Sequence, residues 1–241
     1  MAADTIKITD KGNVKIIAHR GLSGLERQNT NSAFVAAGNR SYFGIETDIH
    51  VTADGEFAVI HDESTGSVAK QDVNVEKSSF KELTDIILNN TDSTVRTDLR
   101  IPRLCEYISI CKKYGKTAVL ELKNPFKRAD IEKAVGEIKK LDYIDGVIFI
   151  SFALENLIVL RELLPGAKIQ YLFDRMSEDV FDTLKKYRFD VDVYYDLASR
   201  EFVDKVHSLG LEVNVWTVDK PEVAQHVIAN GVDYITTNIL E

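Results

Sequence analysis

The sequence predicts an α/β fold, a (β/α)8 TIM barrel in one domain over residues 1–241, and three observations lead to this prediction. The chain has 241 residues, and such barrels typically have ~250. Short apolar runs typical of buried strands alternate with helical segments along most of its length. Eight such strands can be counted, which is the number that closes a parallel barrel. An open doubly wound sheet is the main alternative, but no GxGxxG motif follows the first strand.

One predicted helix lies between the first two predicted strands in the sequence. The first strand, Val14–Ala18, leads into a polar loop. Thr30 or Asn31 then offers a side-chain oxygen that can cap a helix through about Arg40. The second strand, Ile45–Val51, follows this helix and completes the first β-α-β unit.

Between about residues 52 and 103 the alternation breaks, and we predict an insertion in the barrel. Gly55 sets a hairpin turn, and Phe57–Ile60 returns along the second strand. A polar stretch follows, with one short helix at about Ser79–Leu88. We expect too few apolar positions here for an independent core, so the insertion is part of the single domain.

Regular alternation resumes after the insertion. Gly210 follows a predicted helix directly, and Pro221 begins the next one. No helix follows the eighth strand, so another segment or a second subunit, in a possible homodimer, should cover it. The predicted helices are Leu104–Tyr114, Ala129–Leu141, Leu154–Leu164, Glu178–Lys186, Ser199–Leu209 and Pro221–Asn230. The predicted strands are Thr117–Lys123, Gly146–Ser151, Lys168–Phe173, Asp192–Tyr195, Glu212–Val218 and Tyr234–Asn238.

Composition and charge exclude several classes of protein. A net charge of −8 argues against general binding of nucleic acid or anionic membranes, which needs a basic surface. No stretch approaches the ~18 apolar residues of a membrane span, so we expect no stable membrane insertion. The N-terminus does not have the pattern of a secretory signal. Cys105 and Cys111 point to different sides of one predicted helix, so we expect reduced thiols in a cytoplasmic protein.

Two carboxylates on the second strand give the first indication of function. Glu46 and Asp48 are two residues apart, so their side chains point to one face of the strand. Neighbouring carboxylates repel each other and are costly to bury, whereas Mg²⁺ or Ca²⁺ would bind both. A solvated outer face is the alternative, but helices cover the outside of a barrel. We therefore expect an inward-facing metal site.

Further polar residues stand at the carboxyl ends of predicted strands, where active sites of such barrels lie. His19 and Arg20 follow the first strand, and Glu121 and Lys123 share one face of the third. Cations beside carboxylates indicate a bound anion that bridges them and the metal, and phosphate fits best.

Two histidines suit proton transfer near neutral pH, and with a metal-bound phosphate they predict phosphodiester hydrolysis. These are His19 and His61, one as base and one as acid. His19 could instead be a metal ligand, and His61 could be a hairpin residue without a role. His50 could support the site or lie at its rim. Trp216 could wall a substrate pocket or fill the barrel.

Short motifs that contain these residues occur in one order along nearly the whole chain. They are His19-Arg20-Gly21, Asn29-Thr30, Glu46-Thr47-Asp48, Thr52-Ala53-Asp54-Gly55, Val59-Ile60-His61-Asp62, Ile101-Pro102-Arg103-Leu104, Glu121-Leu122-Lys123, Ser151-Phe152 and Gly231-Val232-Asp233. In them the chain resembles the glycerophosphodiester phosphodiesterase family, whose fold is a (β/α)8 barrel with a small insertion after the second strand.

The resemblance implies hydrolysis of small-molecule glycerophosphodiesters to sn-glycerol 3-phosphate and an alcohol, a step of lipid and glycerol metabolism. It also implies roles for single residues by motif. The implied ligands of one divalent cation, Mg²⁺ or Ca²⁺, are Glu46, Asp48 and Glu121; the implied acid–base pair is His19 and His61; the implied phosphate ligands are Arg20 and Lys123.

One position departs from the family pattern. The family has Glu-Asn-Thr before the first helix, whereas this chain has Gln28 in place of the glutamate. Loss of this negative charge should weaken metal affinity or alter substrate preference without loss of activity. We expect Gln28→Glu to tighten metal binding.

Two other functions compete with this one. A non-catalytic phosphodiester-binding barrel would explain Gln28, but such a protein needs no pair of histidines for proton transfer. A lysophospholipase D-like hydrolase would act on a lipid-bearing diester and would need an apolar groove. The polar stretch Ser64–Lys77 disfavours this second alternative.

Overall fold

The predicted strands form one closed ring in the computed structural model, which describes residues 4–92 and 94–241. In this part of the chain the strands are β1 (Lys15–Ala18), β2 (Gly44–Val51), β3 (Phe57–Val59), β4 (Thr117–Leu122), β5 (Val147–Ser151), β6 (Lys168–Phe173), β7 (Asp190–Tyr194), β8 (Val213–Trp216) and β9 (Tyr234–Thr237). All of them pair in parallel with their neighbours except β3, which pairs antiparallel with β2. Because β1 pairs with both β9 and β2, the eight parallel strands close a barrel, as predicted.

Helices connect successive barrel strands and cover the outside of the ring. The helices of the described residues are α1 (Asn31–Gly38), α2 (Phe80–Asp85), α3 (Leu104–Tyr114), α4 (Arg128–Lys140), α5 (Leu154–Leu163), α6 (Val180–Tyr187), α7 (Arg200–Ser208) and α8 (Pro221–Asn230). Thr30 caps α1, since its hydroxyl accepts a hydrogen bond from the amide of Ala33. All of these helices except α2 belong to the barrel wall.

Alternation along each strand divides the apolar residues between two cores. Ile45 and Ile49 of β2 point outward and pack in the large cluster between barrel and helices, together with Phe34 of α1. Val119 and Leu172 belong to a smaller cluster inside the barrel. The carboxylates of β2 therefore project inward, because they alternate with the outward isoleucines.

The insertion between β2 and α3 packs more apolar side chains than its polar composition suggests. β3 and α2 lie within it, and β3 extends the sheet as a hairpin with β2. Most of its buried apolar residues form a separate cluster, which consists of Ala58, Ile60, Val68, Ala69, Val75, Phe80, Leu83, Ile86, Leu88, Leu99 and Ile101. This packing fixes the segment that carries His61 beside the mouth of the barrel.

A segment near the N-terminus pairs with the residues that follow β9. Ile6 and Leu240 form a parallel bridge, and Ile8 donates a backbone hydrogen bond of 2.7 Å to the carbonyl of Glu241. Ile8 and Leu240 are buried in the large apolar cluster. Another segment of the chain therefore covers this region, which was one of the two predicted arrangements.

Candidate active site

Three carboxylates meet inside the carboxyl end of the barrel. Glu46 and Asp48 lie on β2, and Asp48 is paired in register with Glu121 of β4. All three are buried, and one carboxylate oxygen from each lies within 4.8 Å of the others. The inward period of two on each strand, together with this register, thus assembles the predicted set.

Burial and mutual repulsion make it costly for all three carboxylates to be ionised. Burial and the neighbouring charge of Asp48 raise the pKa of Glu46 well above its usual value and raise the pKa of Glu121 to about 8. Burial alone would raise the pKa of Asp48 too, but the charges of Lys123 and Arg20 outweigh it and lower that pKa. The cluster therefore calls for more positive charge than Arg20 and Lys123 supply.

The three carboxylates fit a divalent cation by two observations. Asp48 Oδ1 is buried and has no hydrogen-bond partner, and Glu121 Oε1 makes no well-aligned hydrogen bond although Lys123 lies 2.9 Å away. Ligand atoms that are all carboxylate oxygens match the preference of Mg²⁺ and Ca²⁺. Among the described residues, this is the one group of three or more such side chains with suitable spacing. His19 is not part of it.

Two cations border the carboxylate cluster. Arg20 has a left-handed backbone with φ of 54°, and its amide donates to Glu46 Oε2 at 2.8 Å. Its guanidinium lies 3.7 Å from Asp48 and donates to Gln28 Oε1 at 2.7 Å. Lys123 Nζ is 3.6 Å from Asp48 Oδ1 on the other side. Asp48 thus lies between the two predicted phosphate ligands.

His19 is held in one tautomer by its neighbours. Asn238 donates from Nδ2 to Asp219 at 2.6 Å, so its Oδ1 faces His19 Nδ1 at 2.8 Å and accepts from it. The lone pair of His19 is then on Nε2, toward which Arg20 Nε donates at 3.2 Å. Burial and the charge of Arg20 lower the pKa of His19 to about 4. His19 is therefore a neutral proton acceptor in this environment.

His61 has a carboxylate partner instead. Its Nδ1 donates to Asp62 Oδ1 at 2.6 Å, and the backbone amide of Ile60 donates to the carbonyl of Asp48 at 3.1 Å. Burial lowers the pKa of His61, whereas the charge of Asp48 and the bond to Asp62 act in the opposite direction. Asp62 also accepts a hydrogen bond from Ser67. The two histidines thus differ in what holds their rings.

The remaining predicted residues lie around this centre. His50 is buried, with only 1% of its surface exposed, so it does not lie at an open rim. Trp216 is half-buried at the end of β8, and its ring packs edge-on against Phe152 and Tyr194 at 5.8 Å between centroids. Trp216 also packs against the apolar cluster inside the barrel.

Sequence reasoning assigned no role to several residues that hold the site together. Asn29 donates to Asp48 Oδ2 at 2.8 Å and accepts from Thr47 at 2.7 Å, so it orients a central carboxylate. Asn238 and Asp219 orient His19 as described. Asn238 could have been found by its place after the last strand, but the pairing of Asp219 with it requires the fold.

Comparison with known proteins adds to this geometry. A model of the Glycerophosphoryl diester phosphodiesterase family matches residues 19–241. A protein of Caldanaerobacter subterraneus subsp. tengcongensis named glycerophosphodiester phosphodiesterase is 27% identical over 226 residues, which are 92% of this chain and 93% of that protein.

Solved structures share the fold over almost the full length. A glycerophosphodiester phosphodiesterase from Parabacteroides distasonis has 28% identity and a TM-score of 0.79, and the match covers 94% of this chain and 93% of that one. A phosphodiesterase from Oleispira antarctica, in complex with the product sn-glycerol-3-phosphate, has 22% identity and a TM-score of 0.85, with 93% and 92% covered. At that lower identity the likeness concerns the fold.

Proposed function

The chain belongs to the glycerophosphoryl diester phosphodiesterase family and is a phosphodiesterase, and from this premise we propose that it hydrolyses glycerophosphodiesters to sn-glycerol 3-phosphate and an alcohol. The observation that carries the proposal is the position of Asp48 between Arg20 and Lys123, inside a cluster of three carboxylates. Asp48 is shared between the two cations and the metal site, so a single anion can contact the cations and the metal together. A phosphodiester is such an anion.

Glu46, Asp48 and Glu121 would hold one divalent cation, Mg²⁺ or Ca²⁺. When bound there, the cation would offset negative charge on the phosphate oxygens in the transition state. Arg20 and Lys123 would bind the same phosphate from two sides. Ion pairs with buried carboxylates hold both charged groups in position. Binding from two sides orients the phosphorus atom for attack.

His19 and His61 would transfer the protons. His19 Nε2 carries a lone pair, because Asn238 holds the hydrogen on Nδ1, so we assign His19 as the base that takes the proton of the attacking hydroxyl. Asp62 can stabilise the imidazolium form of His61, so we assign His61 as the acid. The oxygen of water or of the glycerol 2-hydroxyl forms the new P–O bond as His19 takes its proton, and the P–O bond to the alcohol breaks as His61 protonates the alcohol oxygen. Where the glycerol hydroxyl attacks, water then opens the cyclic phosphate by the same proton transfers.

Trp216, with Phe152 and Tyr194 beside it, would wall the substrate pocket. Both cysteines are free thiols, which supports a reducing, cytoplasmic location. No helix of the described residues is both long and apolar enough to cross a bilayer. The substrate is a small molecule, and nucleic acid is not expected as a partner.

The proposal is tested by release of sn-glycerol 3-phosphate from glycerophosphocholine and glycerophosphoethanolamine. The assay is run in EDTA, Mg²⁺ and Ca²⁺ with the wild type and with His19→Ala and His61→Ala. We expect release that requires one of the metals and falls by about a thousandfold or more in either variant. His207→Ala, which changes a histidine on the outside of the barrel, is the matched control.

An inactive wild type that nevertheless binds a divalent cation and glycerol 3-phosphate would contradict the proposal and favour the binding-protein alternative. Activity that persists in His19→Ala and His61→Ala together would contradict the assigned proton transfer and leave the substrate assignment intact.

A further inference from the structure

His50 is the last inward-facing residue of β2, and its ring contacts the backbone of His61. Its Nε2 lies 3.0 Å from the carbonyl oxygen of His61. A carbonyl oxygen only accepts hydrogen bonds, so Nε2 carries the hydrogen and donates it. With 1% of its surface exposed, His50 makes this bond away from solvent. The bond joins a barrel strand to the segment that carries the proposed acid.

The other ring nitrogen of His50 faces two further segments. Nδ1 lies 3.2 Å from Glu76 Oε1, in the insertion, and 3.4 Å from Asn124 Nδ2, in the loop after β4. Asn124 also donates to the same oxygen of Glu76 at 2.6 Å. The buried ring of His50 therefore connects β2 with the insertion and with the loop after β4.

The contacts around His61 fall into two groups. Asp62 holds the ring, since it accepts from Nδ1 at 2.6 Å. The main chain is held separately, by the hydrogen bond from Ile60 to the carbonyl of Asp48 and by the bond from His50. β3 ends at Val59, and the bond from Ile60 ties the next residue to β2. Beyond that bond, the ring of His50 holds the carbonyl of His61.

A role as mere filling does not account for these contacts. An apolar side chain would fill the same space, but the carbonyl of His61 would then lose its hydrogen bond to the buried His50 ring. The burial of His50 does not fit a role at an open rim. Its polar ring instead fits a residue that holds the His61 backbone in one position.

We propose that His50 is a positioning residue that holds His61 in place for proton transfer, through the hydrogen bond from its Nε2 to the His61 carbonyl. The expected effect on kcat rests on the proposed function, whereas the hydrogen bond between His50 and His61 does not depend on it. A shift of ~1 Å in a reacting group can cost about a hundredfold in rate, so a single backbone contact of this kind can matter.

Two conservative variants distinguish the contribution of His50 Nε2 from that of Nδ1. In His50→Gln the amide nitrogen takes the place of Nε2, and in His50→Asn it takes the place of Nδ1. We expect kcat of His50→Gln to stay within about threefold of the wild type, and kcat of His50→Asn and His50→Leu to fall by at least about tenfold. KM should change less than about threefold in all three, because His50 is buried with only 1% of its surface exposed.

The NMR signal of the His61 ring gives a second measurement that needs neither substrate nor metal. The protein has five histidines, so ¹H–¹³C spectra of histidine-labelled protein resolve the ring of His61, assigned with His61→Ala. We expect its signal to keep its position in His50→Gln, and to shift or broaden in His50→Asn and His50→Leu. His226→Gln, on the exposed side of α8, is the control that should change neither kcat nor this signal.

If the variants of the buried His50 fold poorly, Glu76→Gln provides a further test. Glu76 is exposed, so this substitution should not affect folding. It alters only the Nδ1 side of the ring, so kcat should fall less than about threefold. Equal kcat and equal His61 signals in His50→Gln and His50→Asn would overturn the proposal, as would a loss confined to KM or a loss in Glu76→Gln as large as in His50→Leu. If the wild type hydrolyses no diester, the proposed function fails, while the spectra still decide whether His50 positions His61.

Discussion

Asp48 contacts both cations of the site, at 3.7 Å to Arg20 and 3.6 Å to Lys123, and it is oriented by Asn29. The roles proposed for Lys123 and Asp48 could be inferred from sequence, because each shares a strand face with a carboxylate two residues away. That of Arg20 could be inferred from its place at the carboxyl end of the first strand. The part played by Asn29 could not, since its amide reaches Asp48 from a loop with a left-handed backbone, φ 54°.

Gln28 is the residue at which this chain departs from the family pattern, and its contact is with Arg20. We predict that Gln28→Glu pairs with the guanidinium and competes with the phosphate, so that KM rises by about three- to tenfold. The added charge near the site should also tighten metal binding. Steady-state kinetics and metal titration of the variant measure both effects.

Gln71→Glu, on the exposed surface of the insertion, is the matched control for the added charge. Unchanged KM and unchanged metal affinity in Gln28→Glu would show that the charge at this position does not act on the site.

At the scale of elements, the register of β2 against β4 brings Asp48 opposite Glu121 and so forms the carboxylate cluster. The sequence predicted several element bounds as observed, among them α3, α8 and β6, because clear periodicity and turn residues mark them. It did not predict the apolar cluster of the insertion, since those residues are scattered through a polar stretch and come together only in the folded chain.

The two strands should repel each other at this cluster when no cation is bound. We predict that Glu121→Gln raises the melting temperature of the metal-free protein, because it removes a buried carboxylate whose pKa burial raises to about 8. In the wild type, saturating Mg²⁺ or Ca²⁺ should raise the melting temperature, and this rise should be absent in the variant. Calorimetry with and without EDTA measures both effects.

A metal-free variant that melts below the wild type would contradict the repulsion argument. A melting temperature that responds to Mg²⁺ or Ca²⁺ equally in both proteins would show that Glu121 is not a ligand.

At the scale of the whole molecule, contacts distant in sequence hold the segment after β9 against the N-terminal segment. The buried carboxylate of Glu241 accepts from Thr5 Oγ1 and from the amide of Ser41, both at 2.7 Å, and pairs with Lys7 at 2.8 Å. The sequence predicted that something must cover the region beyond the last strand. It could not identify the segment, because these three polar contacts are distant in sequence and give no periodic pattern.

The pH dependence of stability should reveal these contacts. Burial alone would raise the pKa of Glu241, but the bonds to Lys7, Thr5 and Ser41 outweigh it and lower the pKa to about 2. A lowered pKa stabilises the fold above the unfolded value of 4.5 and loses that effect as the pH falls toward 2. We predict that Glu241→Gln lowers the free energy of unfolding by about 2 kcal/mol at pH 7.

The difference between the two proteins should shrink steadily from pH 5 to pH 3. Urea unfolding of both at pH 7, 5 and 3 measures it, with Glu178→Gln, an exposed glutamate, as the control. A difference that is the same at all three pH values would contradict the ionic origin of the effect.

In the proposed reaction, the site cleaves the bond between phosphorus and the alcohol oxygen. The ³¹P NMR spectrum of glycerophosphocholine, recorded during incubation with the protein and Mg²⁺ or Ca²⁺, tests this claim most directly. We predict that the diester signal is replaced by that of sn-glycerol 3-phosphate, and that EDTA prevents the change. A diester signal that persists with either metal, or its replacement by phosphocholine, would contradict the account.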